Sequence, residues 1–517
     1  MPNRSSDTLF QLIRSLKKSE KRNFKLYVTR NSSAEDLKII QLFDALDNME
    51  IYDEALLLKR NKKIAKQQLS NIKAHLYREI LSSLRLLRND DNIDMRLHEQ
   101  LDFARILYNK GLYHQSLKTL DKIKENAREN NQHTFLLQVL FFEKKIEALH
   151  ITRSMQDRAD QLALEVDQTN KRLQLIGNLS NLSLQLYSWY IKNGHARNKA
   201  DEDAVQKFFE ERLSANTSDC AGFYEKLYLY QSFCWYAFIR QDFLLYYRYA
   251  QKWVDLFEKE KFMVEIETAH YIKGMHNLLG AHFDLQNYKK FIDTLKQFER
   301  FAESEIVLQN DNNLIQAFIY LNISRINKHF IEGTFTEGLQ LVPFITGKLE
   351  EYHLFIDRHR VLVFYYKIAS LYFGSGDYEH TIDYLNKIIN WKVDLRTDLQ
   401  CYSRLLHLIA HYELENYQLL EYLIKSVYRF MAKMENFGVV EEEIFNFLRR
   451  SFRLAPKQLK PEFERLLDKL KKLEKNPFAT RAFSYLDIIS WLESKIEGVP
   501  VQDVIREKFL KKEKVQI

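Results

Sequence analysis

The chain has 517 residues, 46% hydrophobic and 28% charged, a globular balance that excludes long disorder and, at this length, calls for several domains or one elongated repeat array. Only 13 glycines and 6 prolines occur, and no proline lies between Pro2 and Pro343, which disfavours turn-rich all-β and α/β classes and predicts long helices with short connections. The net charge of +7 sits wholly at the start, because residues 1–90 carry 18 Lys and Arg against 11 Asp and Glu while the remainder balances.

The N-terminus, MPNRSSDTLFQLIRSLKK, places charges and amides where a signal peptide needs an apolar run, and no segment reaches the roughly 18 uninterrupted apolar residues of a membrane span. Three cysteines, Cys220, Cys234 and Cys401, are few, odd in number and without metal-ligand spacing, so they read as reduced thiols. The expected compartment is the cytoplasm, with no membrane partner. The stretch RSLKKSEKRNFKLYVTR, residues 14–30, gathers Arg14, Lys17, Lys18, Lys21, Arg22, Lys25 and Arg30 around Phe24 and Tyr27. It is the nucleic-acid candidate of the chain, because cations interleaved with rings can meet phosphates and bases. The preferred reading is that Leu16, Phe24, Tyr27 and Val28 pack inward and the cations face water. Ser32 and Glu35 form a capping box, and Ile72, Leu76, Ile80, Leu84 and Leu87 fall on one helical face. Residues 1–90 therefore read as a basic helical module.

Beyond residue 90, turns made of a small or polar residue, any residue, then an aromatic recur: GLY at 111–113, QDF at 241–243, QNY at 286–288, GTF at 333–335, GDY at 376–378 and ENY at 415–417. The aromatics Phe243, Tyr288, Phe335, Tyr378 and Tyr417 stand 45, 47, 43 and 39 residues apart, the length of two helices with their connections. RSMQDRA near 155 and NGHARNKADED near 197 fit as degenerate turns. In YYKIASLYFGSGDYEHTIDYLNKII, the residues Tyr365, Ile368, Ala369, Tyr372, Gly376, Tyr378, Thr381, Leu385 and Ile388 resemble the packing positions of the tetratricopeptide repeat. FARILYNKGLYHQSLKTLDKI repeats the scheme with Phe103, Ala104, Leu107, Gly111, Tyr113, Ser116, Leu120 and Ile123. The small residue expected after the turn is instead Tyr246, Phe291 and Leu420 in looser units, and the closing proline is missing.

The resemblance implies an all-α, tetratricopeptide-like α-solenoid of about eight degenerate helix pairs over residues 91–430, whose first helices line a concave face. On the 376 turn's register that face presents Val363, Tyr366, Lys367, Ser370 and Phe373; on the 111 register it presents His98, Asp102, Arg105, Tyr108 and Asn109. The family's carboxylate clamp uses lysine and asparagine at such places, and Tyr366 and Ser370 replace them, so that activity is not carried over. The whole chain also looks like large bacterial proteins with tetratricopeptide-like regions.

GSGDY at 374–378 fails as a phosphate loop, since Glu379 occupies the third-glycine position of a dinucleotide fingerprint and no Gly-Lys-Ser/Thr follows. HLIAH at 407–411 puts His407 and His411 on one helical face but lacks the glutamate of a metalloprotease motif, and His353 and His359 are a weaker pair still. No GxSxG or CxxC occurs. The cluster FYEKLYLYQSFCWYAF at 223–238 reads as core filling. Pro456, Pro461, Pro477 and Pro500 punctuate residues 431–517, read as a helical cap whose basic end, REKFLKKEKVQI, frays in water. These features together lead to the expectation of a non-enzymatic scaffold or adaptor holding a protein or peptide on the concave face, with no cofactor and no metal. The alternatives are a nucleic-acid-binding regulator acting through residues 1–90 and a metal-dependent hydrolase built on His407 and His411.

Overall fold

The computed structural model describes residues 8–29, 34–60, 65–87, 92–150, 157–213, 220–391, 397–433, 438–451, 454, 456–473 and 487–516. Among these residues every regular element is a helix and no strand occurs. The fold is all-α, a solenoid in which neighbouring helices pack in pairs. Ser32, Arg30 and most of the expected turn near 155 lie outside the described residues. The chain divides into two compact units, Met1–Asn170 and Lys171–Ile517.

The first unit opens with α1 (Thr8–Ser15), α2 (Lys18–Thr29), α3 (Ala34–Asp47), α4 (Glu54–Arg60) and α5 (Lys66–Leu87). Ile13, Phe24, Leu42, Phe43, Leu76 and Ile80 are buried together at its centre. Leu16 and Val28 join them, as their spacing predicts, with Tyr27 packed at the margin. Leu87 departs from the apolar face assigned to it: it is the last residue of α5 and remains exposed. A second cluster forms from α6 (Ile93–Asn109), α7 (Tyr113–Glu129), α8 (His133–Leu149) and the start of α9 (Arg158–Asn193). Inside it, Glu143, 0% exposed, pairs with Lys124 at 2.6 Å and with Arg158. Removing two charges from water is costly, and the pairing offsets that cost.

In the second unit α9 is followed by α10 (Lys199–Arg212), α11 (Phe223–Ile239), α12 (Phe243–Lys259), α13 (Met263–Ile266), α14 (Thr268–Asp284), α15 (Tyr288–Ala302) and α16 (Glu305–Leu308). Then come α17 (Asp311–Glu332), α18 (Phe335–Gly338), α19 (Val342–Glu351), α20 (Arg358–Ser375), α21 (Tyr378–Ile389), α22 (Thr397–Glu413) and α23 (Tyr417–Lys433). The chain ends in α24 (Val439–Ser451), α25 (Pro456–Leu473), α26 (Ile488–Glu497) and α27 (Val501–Gln516).

The recurring tripeptides have a common physical basis. Gly111, Gln241, Gln286, Gly333, Gly376 and Glu415 all take positive φ, between +54° and +87°. In each turn the next residue donates its N–H to the carbonyl five places back, as in Asp377 to Tyr372 and Asp242 to Ala237. That bond satisfies a carbonyl at the end of the first helix. The middle residue then caps the second helix: Asp242, Asn287 and Asp377 accept from the N–H groups of Leu245, Lys290 and His380. The aromatic is the first helical residue. GSGDY is thus an interhelical turn. A further turn of this kind at Asn131, φ +57°, joins α7 to α8 and escaped the pattern because His133 stands where the aromatic is expected.

Two pairs share one more detail. Ser116 donates its hydroxyl to the Ala104 carbonyl at 2.8 Å, and Thr381 reaches the Ala369 carbonyl at 3.4 Å. A small hydroxyl residue on the second helix so meets an alanine on the first. Where that residue is Tyr246, Phe291 or Leu420 instead, the side chain is buried in the core.

The basic end does not fray. It forms α27, which packs on α17 and α20, and Lys508 pairs with Glu493 at 2.5 Å instead of facing water alone. Trp491 on α26 donates its indole N–H to Glu413 at 2.6 Å and lies among Tyr412, Phe447 and Phe463.

A candidate ligand cavity on the first helices

Within the second unit a cavity of about 810 Å³ is lined by the inner faces of α11, α14, α17 and α20, with residues of α9, α22, α26 and α27 at its margins. Val363, Tyr366, Lys367, Ser370 and Phe373, named from the 376 register, all line it. Their places follow from the turn: they stand thirteen, ten, nine, six and three positions before the left-handed Gly376. Tyr366 and Phe373 are each 6% exposed and form wall more than contact surface.

Applying the same offsets to Gln286 gives Lys273, His276, Asn277, Gly280 and Phe283; applying them to Gly333 gives Tyr320, Ile323, Ser324, Asn327 and Phe330. Lys273, His276, Asn277, Phe283, Tyr320, Ile323 and Phe330 line the cavity. Sequence reasoning missed them, although the turn register carried to the looser units was the signal that finds them. Arg360, three residues before Val363, adds a further cation to the wall, and Lys508 and Lys512 of α27 stand at its margin. From the aromatic stretch at 223–238, Phe223, Leu227 and Tyr236 are core, while Trp235, Phe238 and the buried Cys234 border the cavity.

The electrostatics of this wall are unusual for a helix-pair interior. Arg360 donates from Nη2 to the Tyr320 phenol at 3.1 Å, and Lys273 Nζ stands 4.8 Å from the centre of the same ring. Burial raises the pKa of Tyr320, but Lys273 and Arg360 outweigh burial and hold it below the ordinary phenol range. His276 stacks on Tyr320 at 4.3 Å. Burial first, then Lys273, Lys367 and Arg360, push it well below the usual imidazole range, so it is neutral. Deeper along α20, Lys367 donates to Asn327 at 2.6 Å and lies over the rings of Phe283 and Phe330. Burial lowers Lys367 to about 8 against the pull of Asp284, and burial raises Asp284 to about 7 against the pull of Lys367.

On the 111 register, His98 and Asp102 border a small hollow of about 290 Å³ with Arg85 and Met95. Arg85 and Arg105 both pair with Asp102, at 3.3 and 3.2 Å. Tyr108 packs among Tyr113, Phe142 and His150, and Asn109 is exposed. In the N-terminal module Lys21 pairs with Asp47 at 2.5 Å and Lys25 with Asp44 at 2.6 Å. Arg14, Lys17, Lys18 and Arg22 are exposed. The six cations therefore do not form one free basic surface.

His407 and His411 lie 4.5 Å apart between ring centres and are both buried, with Asn416 at 3.2 Å from His411 Nδ1. Burial lowers both, His407 to about 4. Among the described residues no group of three or more His, Cys, Asp and Glu side chains is placed to hold a metal ion. His353 donates to the Glu350 carbonyl, and His359 lines the cavity. No described helix is long and apolar enough to cross a membrane.

No family model, no curated protein and no solved structure matches this chain.

Proposed function

We propose that the chain is a non-enzymatic, tetratricopeptide-like scaffold or adaptor that holds a segment of a protein or peptide in the cavity of its Lys171–Ile517 unit. The observation that carries this reading is the convergence of four successive first helices, α11, α14, α17 and α20, on one cavity of about 810 Å³. That volume falls in the range of roughly 300 to 1,000 Å³ common for small-molecule sites and suits a few side chains of an extended partner. A preformed surface limits the ordering cost of binding such a partner. Cys220, Cys234 and Cys401 stand as thiols rather than disulfides, which fits a reducing compartment, so we place the protein in the cytoplasm.

The test is affinity capture from the native cell with the intact chain and with Val363→Trp, which puts a large ring into the cavity wall, each split into nuclease-treated and untreated halves. The scaffold reading predicts a defined protein that survives nuclease and is lost with Val363→Trp. Partners that vanish with nuclease and ignore Val363→Trp would favour a nucleic-acid-binding regulator acting through residues 1–90. The pairing of Lys21 and Lys25 within their own module weighs against that alternative.

A further inference from the structure

Of the five cations that line the cavity, Lys273, Arg360, Lys367, Lys508 and Lys512, two meet at one place. Lys273 and Arg360, from two different helix pairs, converge on the single Tyr320 phenol. Asp357 pairs with Arg360 at 2.8 Å but is itself half exposed at the start of α20. Among the described residues no carboxylate forms an ion pair with Lys273. Two cations drawn together in a partly desolvated wall repel each other unless an anion joins them. The surrounding groups are built to surround a ligand: Trp235 lies 5.8 Å from Lys273 Nζ and 4.9 Å from the ring of Tyr187. His276 presents a buried Nδ1 with no hydrogen-bond partner among the described residues. An unpartnered buried nitrogen costs stability, and a bound polar group would satisfy it. Phe238, Phe283 and Phe330 extend the wall as apolar surface.

We propose that this seat binds an oxyanion, a carboxylate or a phosphate carried on an apolar body, with the charged group between Lys273 and Arg360 beside Tyr320 and the body against Trp235 and Phe238. The proposal rests on the binding reading of the same cavity and names the chemistry of what enters it. It differs from a clamp drawn on lysine and asparagine at the register positions of the 376 unit, where Tyr366 and Ser370 stand. Arginine and lysine are suited to both anions, the first through paired donors and the second as a point charge.

Calorimetry on the full chain with phenyl phosphate, phenylacetate and the neutral N-methylphenylacetamide tests it. At least one anion is expected to bind, with the preferred one identifying phosphate or carboxylate as the natural group, and the neutral analogue to bind about tenfold more weakly or worse. Lys273→Met and Arg360→Met should each weaken the anion by about tenfold, whereas Arg360→Lys should retain most of it. If the methionine variants unfold, the wild-type salt dependence decides: between 50 and 500 mM salt the anion's affinity should fall while the neutral analogue's stays constant. Equal binding of the neutral analogue, unchanged binding in folded methionine variants, or no binding of either anion at millimolar concentration overturns the proposal. A peptide array separates this failure from that of the wider reading. Neutral peptides that bind and are blocked by Val363→Trp, with neither anion bound, would sink the oxyanion seat and leave the scaffold standing. Neither peptides nor anions binding would sink both.

Discussion

Arg506 donates a hydrogen bond to the backbone carbonyl of Glu332 at 3.1 Å across 174 positions of sequence, one of the contacts by which the C-terminal helix meets the end of α17. The same contact explains Gly333, the left-handed residue that ends α17. A Cβ there would meet the Arg506 backbone N at 2.4 Å and the Gln502 carbonyl at 2.8 Å. Gln502 in turn accepts from the Thr336 hydroxyl at 2.8 Å.

Gly333→Ala should therefore release α27, while Gly376→Ala should not. Both positions have positive φ, which costs alanine roughly 1–2 kcal/mol, but the space beside Gly376 is open. Only at Gly333 does backbone overpacking add a further 1–3 kcal/mol or so. Hydrogen exchange reads the difference: amides of Val501–Gln516 should lose protection by about tenfold or more in Gly333→Ala and hold in Gly376→Ala. Equal loss in the two variants would show that α27 does not depend on the close approach.

The buried Glu143 predicts an asymmetry between single and paired substitutions. Glu143→Ala takes the 2.6 Å partner from the buried Lys124, leaving it Asp121 at 3.5 Å and Glu165 at 3.8 Å, and should destabilise by about 3 kcal/mol, whereas Lys124→Met with Glu143→Leu removes both charges and should cost at least about 1 kcal/mol less. Burial already lowers the pKa of Lys124, with Glu165 pulling the other way. Urea unfolding of the full chain compares them. A double variant as unstable as Glu143→Ala would mean that packing, not charge, holds this core.

Acid should weaken the second unit through His407. Its folded pKa is lowered to about 4 from 6.5, by burial first and then by His411 and Arg404. The unfolded chain binds the proton more readily, so the contribution is present above pH 6.5 and is lost as pH falls from 6.5 towards 4. The slope is about 1.4 kcal/mol per pH unit for this group. His407→Gln should flatten the dependence of unfolding stability on pH by roughly that amount between pH 6.5 and 4.5. Parallel curves for the two proteins would rule His407 out as an acid-sensitive group.

What the sequence made legible was local. The six tripeptide turns were readable because each joins a left-handed residue to an aromatic first helical residue, with an Asp or Asn between them in four of the six, and each of these leaves a residue-type signature. Val363, Lys367 and Ser370 followed from one of those turns by helical spacing. The same offsets reach Lys273 and Tyr320 from the Gln286 and Gly333 turns, but not their meeting with Arg360, which is set by how separate pairs pack. The docking of α27 had no local signature at all: Arg506 and Gln502 look like ordinary solvent-facing residues until Gly333 and Thr336 are beside them. The same holds for Lys21 and Lys25, whose pairing with Asp47 and Asp44 is set by how α2 meets α3.

The most direct test of the binding account is site-specific photocrosslinking in the native cell. A benzophenone side chain placed at Val363 inside the cavity is compared with one at Tyr422, 71% exposed on α23, and one at Lys18 on α2. The account predicts a discrete protein adduct from Val363 and none of that species from Tyr422 or Lys18. An adduct confined to Lys18 or Tyr422, with Val363 silent in a folded protein, would contradict it.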